Sequence, residues 1–285
     1  MKKVFITLTI FLSVVFAHAE SLRVSIEDFS KNLSMYKIVD VRDSGLFLQG
    51  HIKGAVNLPI ALTYENKSQN GKIVEPNKMQ SILRDLGLDI NDNVVVYDNG
   101  SFFDAARLFW TLEVYGFKNV KLLNGGFDEW DSLDLPTSTT PIKTTKSNYI
   151  ASINNKRLAT KFATQIASKS PTQTVIDARG IDAYEGKVSS AQRFGHIPTA
   201  QHIPAAHNLA TKSGKAKLKS IAELEETYKN VSKKQKVVLY CAVGRISSTN
   251  YFAMRELGYD VANYDASWKE WGNDFNLPID NPSKK

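Results

Sequence analysis

The second half of this 285-residue sequence restates the first, and that repetition limits the fold more than any other feature. Residues 37–59 read KIVDVRDSGLFLQGHIKGAVNLP, and residues 174–204 read TVIDARGIDAYEGKVSSAQRFGHIPTAQHIP. Each copy has an apolar strand ending in Asp-x-Arg (Asp40 and Arg42, Asp177 and Arg179), then a turn, then Gly-His-Ile. The second copy is longer, with 19 residues from Asp177 to His196 against 11 from Asp40 to His51. Downstream, VVVYDNGSFFDAARLFWTLEVYGF from Val94 aligns with VVLYCAVGRISSTNYFAMRELGY from Val237, and Asp98 falls where Cys241 stands. LLNGGFDEW, ending at Trp130, matches ANYDASWKEW, ending at Trp271.

Between the copies, residues 137–147 (TSTTPIKTTKS) are polar, Thr-rich and broken by Pro141, the composition of a linker. The expected units are therefore residues 20–136 and 148–285. In each, short apolar runs alternate with amphipathic segments such as residues 81–86, 105–115 and 156–168. That alternation predicts an α/β fold of two domains, each a mainly parallel sheet flanked by helices. Ligands of such sheets sit outside the carboxyl ends of the strands, and Cys241 is at such an end.

Cys241 is the only cysteine. Val237 to Tyr240 form the apolar run of a buried strand, Ala242, Val243 and Gly244 are small or flexible, and Ser247 and Ser248 are good N-cap residues. Gly258 reads as the C-cap of the helix that follows. Strand, tight loop and helix N-terminus in that order aim backbone N–H groups and the positive end of a helix at the sulfur, stabilising negative charge there. The plain alternative is a buried structural cysteine.

The first residues, MKKVFITLTIFLSVVFAHAE, have Lys2 and Lys3, an apolar stretch and Ala17-His18-Ala19, the pattern of a secretory signal on residues 1–19 cleaved after Ala19. The chain is thus expected to be exported, and periplasmic if its source is a Gram-negative bacterium. The stretch is too short to favour a spanning helix, and no membrane span is expected. An unpaired thiol in an exported protein is either inert or kept for chemistry. The formal charge of +7 has no basic stripe with interleaved aromatics, so it suits small anions and argues against nucleic acid.

Taken together, the Asp-x-Arg pairs, both Gly-His-Ile turns, the Cys241 loop and the closing segments at Gly125-Gly126-Phe127 to Trp130 and Asp265 to Trp271 resemble the tandem-domain rhodaneses. These are the thiosulfate and 3-mercaptopyruvate sulfurtransferases, and the likeness covers nearly all of the chain after the signal. It implies a silent first copy, a nucleophile in the second, no cofactor and no metal. A Cys241 thiolate would take the sulfane sulfur of a donor (thiosulfate, mercaptopyruvate or polysulfide) as a persulfide. A thiophilic acceptor, cyanide, a thiol or a protein thiol, would then collect it. The loop Ala242, Val243, Gly244, Arg245, Ile246 and Ser247 would bind the substrate, with Arg245 attracting an anionic donor. Asp177, Arg179 and His196 would support it, as ion pairs and turn contacts more than as groups touching substrate.

The sequence departs from that family's pattern where donors are read. Ala183 stands where thiosulfate-type members have an arginine before an aromatic residue, and Ala242 stands where they have a basic residue. Mercaptopyruvate-type members place glycine and serine after the cysteine, where this chain has Ala242 and Val243. Single-domain members carry an arginine five residues after the cysteine, where this chain has Ile246. Cysteine phosphatases need an arginine six residues after the nucleophile to clamp phosphate, and position 247 is serine. The remaining alternative to an enzyme is a sulfur carrier or a module that only docks a partner.

Overall fold

The runs Val94–Tyr97 and 237–240 are apolar on both faces, which only a sheet covered on both sides accommodates. The computed structural model, which describes residues 21–66, 70–212 and 215–284, supplies that cover twice. The expected signal, residues 1–19, lies outside the described residues. The first half runs β1 (Arg23–Ser25), α1 (Ile26–Lys31), β2 (Lys37–Asp40), α2 (Ser44–Gln49), β3 (His51–Ile52), β4 (Ala55–Asn57), α3 (Pro76–Asp85), β5 (Val94–Tyr97), α4 (Phe103–Val114), β6 (Val120–Asn124), α5 (Gly126–Ser132) and β7 (Thr137–Ser138). The second half runs β8 (Leu158–Ala159), α6 (Lys161–Ala167), β9 (Gln173–Asp177), α7 (Ile181–Tyr184), β10 (Gln201–His202), β11 (Leu209–Lys212), β12 (Lys215–Leu218), α8 (Ile221–Thr227), β13 (Lys236–Tyr240), α9 (Ser247–Glu256), β14 (Val261–Tyr264) and α10 (Ser267–Trp271).

Each half contains one five-stranded, fully parallel sheet, in the orders β1-β6-β5-β2-β4 and β8-β14-β13-β9-β10. The orders are the same once equivalent strands are matched, so the internal repeat is a repeat of topology. Strand alternation then divides the interior. Val94, Val96, Val237 and Leu239 point into one core shared by both halves. Val95 and Tyr97 point into a first-half core with Trp130, and Val238 and Tyr240 into a second-half core with Trp268 and Trp271. The two closing tryptophans of the second half are therefore core residues of that half.

The shared core is built by α4 and α9, with the rings of Phe109 and Phe252 edge to face at 4.9 Å. Being covered on all sides, α4 is buried at every position from Ala105 to Val114. The polar run expected to link the halves is laid against the first. Thr137 and Ser138 pair with Ile52 and His51, the Thr144 hydroxyl donates to Asp85 O at 2.8 Å, and Ser147 N donates to Arg84 O at 3.0 Å.

Candidate active site

Cys241 leaves the carboxyl end of β13, and its loop is suspended from the segment that begins α10. The Cys241 N–H donates to Ser267 Oγ at 3.1 Å, and the carbonyls of Cys241 and Ala242 accept from Trp268 N and Lys269 N, each at 3.0 Å. In the first half Asp98 O and Asn99 O accept from Phe127 N and Asp128 N at 2.8 and 3.1 Å, so both loops hang the same way. The turn residue doing this has a positive φ in both halves, +66° at Gly126 and +53° at Ser267. Serine at that φ is strained by about 1–3 kcal/mol. Its hydroxyl is what fastens the backbone of Cys241, while also donating to Tyr264 O at 2.6 Å.

The loop then curls through Gly244 at φ +67°, where a Cβ would stand 2.5 Å from Asp265 O. Only glycine satisfies both the conformation and the space. Among the described residues, none of the backbone N–H groups from Ala242 to Ser247 donates to a protein acceptor. They form an unfilled set of donors at the start of α9, the arrangement that binds and stabilises anions. Cys241 itself is only 1% exposed, packed among Ala178, Ala205, Phe103 and Ile246.

Ser247 and Ser248 do not cap α9. Ser247 is its first residue, Ile246 is the N-cap, and no side chain caps the end. Both serines are buried and drawn sideways by neighbours, Ser247 Oγ donating to Asn263 Oδ1 at 2.7 Å and Ser248 Oγ to Gly244 O at 2.9 Å. Neither hydroxyl caps the Ser247 N–H, which has no acceptor among the described residues, while Ser248 N and Thr249 N donate to Arg245 O and Ile246 O at 3.2 and 3.0 Å.

In the first half part of the equivalent set is occupied by a side chain. Asp98 Oδ1 accepts from Gly100 N and Phe102 N at 2.8 and 3.2 Å, and Oδ2 from Ser101 Oγ and Ala105 N at 3.1 and 3.3 Å. Burial pushes this carboxyl above its ordinary range, and the three backbone N–H groups oppose the rise. Asp98 thus fills its own loop with a side chain.

Arg245, the charged residue of the loop, reaches across to the first half. Its Nε and Nη2 donate to the two oxygens of Asp104 at 2.5 and 2.7 Å, a bidentate pair that raises its pKa further. Arg179 is likewise committed, forked onto Asp177 and donating from Nη2 to Gly195 O at 2.8 Å. Tyr240 OH donates to Asp177 at 2.5 Å and accepts from Ile197 N at 3.1 Å, and burial drives its pKa well up. His196 stacks on Tyr184 at 3.8 Å with Nδ1 2.7 Å from Tyr184 O. The first half repeats the scheme with Asp40, Arg42 and Gly50, Tyr97 and Ile52, and His51 on Phe47. Because the half without a cysteine has the same set, the set serves the fold before it serves chemistry.

Sequence reading did not find Asp104, Arg107, Ser267 or Asn263, all of which contact the loop or its residues. Arg107 offered a signal, as the one cation in a helix run dominated by apolar residues. A pocket of about 320 Å³ beside the loop is lined by Gly180, Ala183, Val188, Ser190, Ala242 and Ile246 among others. Among the described residues there is no cluster of His, Cys, Asp and Glu able to hold a metal, and no helix long and apolar enough to cross a membrane.

A rhodanese-like domain model matches residues 25–133 and again 158–274. The chain is 33% identical to SseA of Mycobacterium leprae, provisionally named a thiosulfate sulfurtransferase, over 82% of this chain and 81% of that protein. A Haloferax volcanii protein with the same provisional name is 29% identical over 93% of this chain and 96% of its own length. The crystal structure of Escherichia coli SseA, described as a 3-mercaptopyruvate sulfotransferase, superposes with a TM-score of 0.77 at 25% identity, over 87% of this chain and 99% of that one.

Proposed function

The chain belongs to the rhodanese family, as two rhodanese-like domains in tandem, and on that premise we propose that it is a sulfurtransferase carrying sulfur on Cys241. The observation that supports this reading most is the contrast between the two loops. The Asp98 carboxylate accepts from three backbone N–H groups at its loop, whereas in the loop that follows Cys241, the only thiol of the chain, six N–H groups have no acceptor among the described residues.

With thiosulfate as donor, the Cys241 thiolate attacks the outer sulfur, a new S–S bond forms, and the S–S bond of the donor breaks to release sulfite with its electron pair. The anionic persulfide left behind is held by the loop N–H groups and the start of α9. Cyanide or a thiolate then attacks the outer sulfur of the persulfide, and Cys241 leaves as thiolate. No proton needs to move in the thiosulfate and cyanide steps, which agrees with the structural use of His196. Mercaptopyruvate and polysulfide are the other donors we propose, and a protein thiol a further acceptor. An anionic donor meets Arg245 as an ion pair with Asp104, so the loop N–H groups are the main charge-stabilising groups.

Residues 20–136 and 148–285 are taken as the silent and catalytic units. The N-terminal pattern supports export, which fractionation of cells expressing the full chain tests. For the reaction, the protein is incubated with thiosulfate, mercaptopyruvate or polysulfide and its intact mass is measured. A gain of one sulfur, about 32 Da, that is absent from Cys241→Ser is the expected result. A wild-type protein that gains nothing from any donor overturns the proposal.

A further inference from the structure

The Gly244 carbonyl is where the half without a nucleophile takes hold of the Cys241 loop. That oxygen accepts three hydrogen bonds, from Ser248 Oγ at 2.9 Å, Asn263 Nδ2 at 2.9 Å and Arg107 Nη1 at 3.0 Å. The first two donors belong to the second half. The third comes from α4 of the first.

Arg107 is fully buried and stacks between the rings of Tyr64 and Trp110, 4.6 and 4.4 Å from their centroids. Its Nη2 donates to Gly71 O at 2.7 Å, and its Nε has no partner among the described residues. Carbonyls rather than a carboxylate are its hydrogen-bond partners. Packing alone would be met by an apolar side chain without the desolvation penalty of a buried cation. The guanidinium is therefore in place for what it holds.

What it holds is the direction of one peptide group. In a trans peptide the C=O and the following N–H point in opposite directions. Ser248 lies four residues on, so the Gly244 carbonyl points along α9 in the manner of a helical carbonyl. The Arg245 N–H is then turned towards the open end of the helix. Glycine at φ +67° offers little resistance of its own to a flip of that peptide. The first half also braces the loop from outside, since a Cβ on Gly71 would meet Val243 O at 2.1 Å.

We propose that Arg107 is a positioning residue for sulfur transfer, acting from the silent half by fixing the Gly244–Arg245 peptide so that the loop N–H groups stay aimed at the sulfur. This inference rests on Cys241 being the sulfur carrier. The test follows the first-order rate of sulfur gain on Cys241 by intact mass, over a range of thiosulfate and of polysulfide concentrations, in wild type, Arg107→Met and Arg107→Lys. Leu112→Ala, a core change on α4 away from the loop, is the control for lost stability. The expected result is a loading rate at saturation about tenfold or more lower in Arg107→Met, with the half-saturating donor concentration within about twofold of wild type. Arg107→Lys recovers part of the rate. Leu112→Ala lowers the melting temperature but loads at the wild-type rate well below its melting point.

Wild-type loading by Arg107→Met, or a loss in both Arg107→Met and Leu112→Ala that merely follows the folded fraction, overturns the inference alone. If Arg107→Met does not fold, Arg107→Lys decides, since a folded lysine variant loading as fast as wild type overturns it. A wild-type protein that takes sulfur from neither donor overturns the sulfurtransferase reading and this inference with it.

Discussion

Asp98 and Cys241 stand at the same place in two copies of one loop, and they differ in where negative charge comes from. Asp98 supplies its own and satisfies three backbone N–H groups, whereas Cys241 leaves its donors open. Asp98→Ala should therefore cost about 1–3 kcal/mol of stability, read by urea denaturation, because buried donors lose their acceptor. Sulfur loading of Cys241 should stay near wild type in that variant. An unchanged urea midpoint would mean that the carboxylate is not needed to satisfy the loop. Gly244→Ala acts at the other loop. It must hold a positive φ and push a methyl group towards Asp265 O, so both the melting temperature and the loading rate should fall sharply. Ordinary stability with full loading in Gly244→Ala would show that the loop shape is not required.

At the scale of elements, the Asp-x-Arg corner is a strand end fastened to a turn. Arg179 forks onto Asp177 and reaches Gly195 O, tying β9 to the Gly-His-Ile turn, and Arg42 does the same from Asp40 to Gly50 O. Removing either arginine leaves a buried, unpaired carboxylate. Arg179→Leu and Arg42→Leu should each destabilise by about 3–5 kcal/mol, measured by chemical denaturation. If Arg179→Leu stayed as stable as wild type and lost only activity, the pair would belong to the chemistry instead. The corner was legible because two copies of one spacing, with and without a cysteine, separate what the fold needs from what the site needs. The start of α9 was misread for a local reason. Ser247 and Ser248 have the right side chains for an N-cap, but Asn263 on β14 and Gly244 O claim their hydroxyls. No inspection of the helix segment alone reveals those partners.

Over the whole molecule, the two domains share a core instead of merely touching. The cluster that holds Val94 and Val96 also holds Val237 and Leu239, with Phe109 against Phe252 at its centre and Glu113 paired with Arg255 beside it at 2.9 Å. Calorimetry should accordingly show one cooperative transition, not two, and Phe252→Ala should move that single transition down by a loss of about 3–5 kcal/mol. Two resolved transitions would contradict a shared core. The repeat, the parallel α/β architecture and the placing of Cys241 at a strand end were determined by the sequence itself, because strand alternation, turn residues and spacing are local and occur twice. The reach of Arg107 and Asp104 to the Cys241 loop was decided only by the tertiary structure. Those contacts span 137 and 141 residues of chain, and they exist because packing α4 on α9 brings one copy's helix against the other copy's loop.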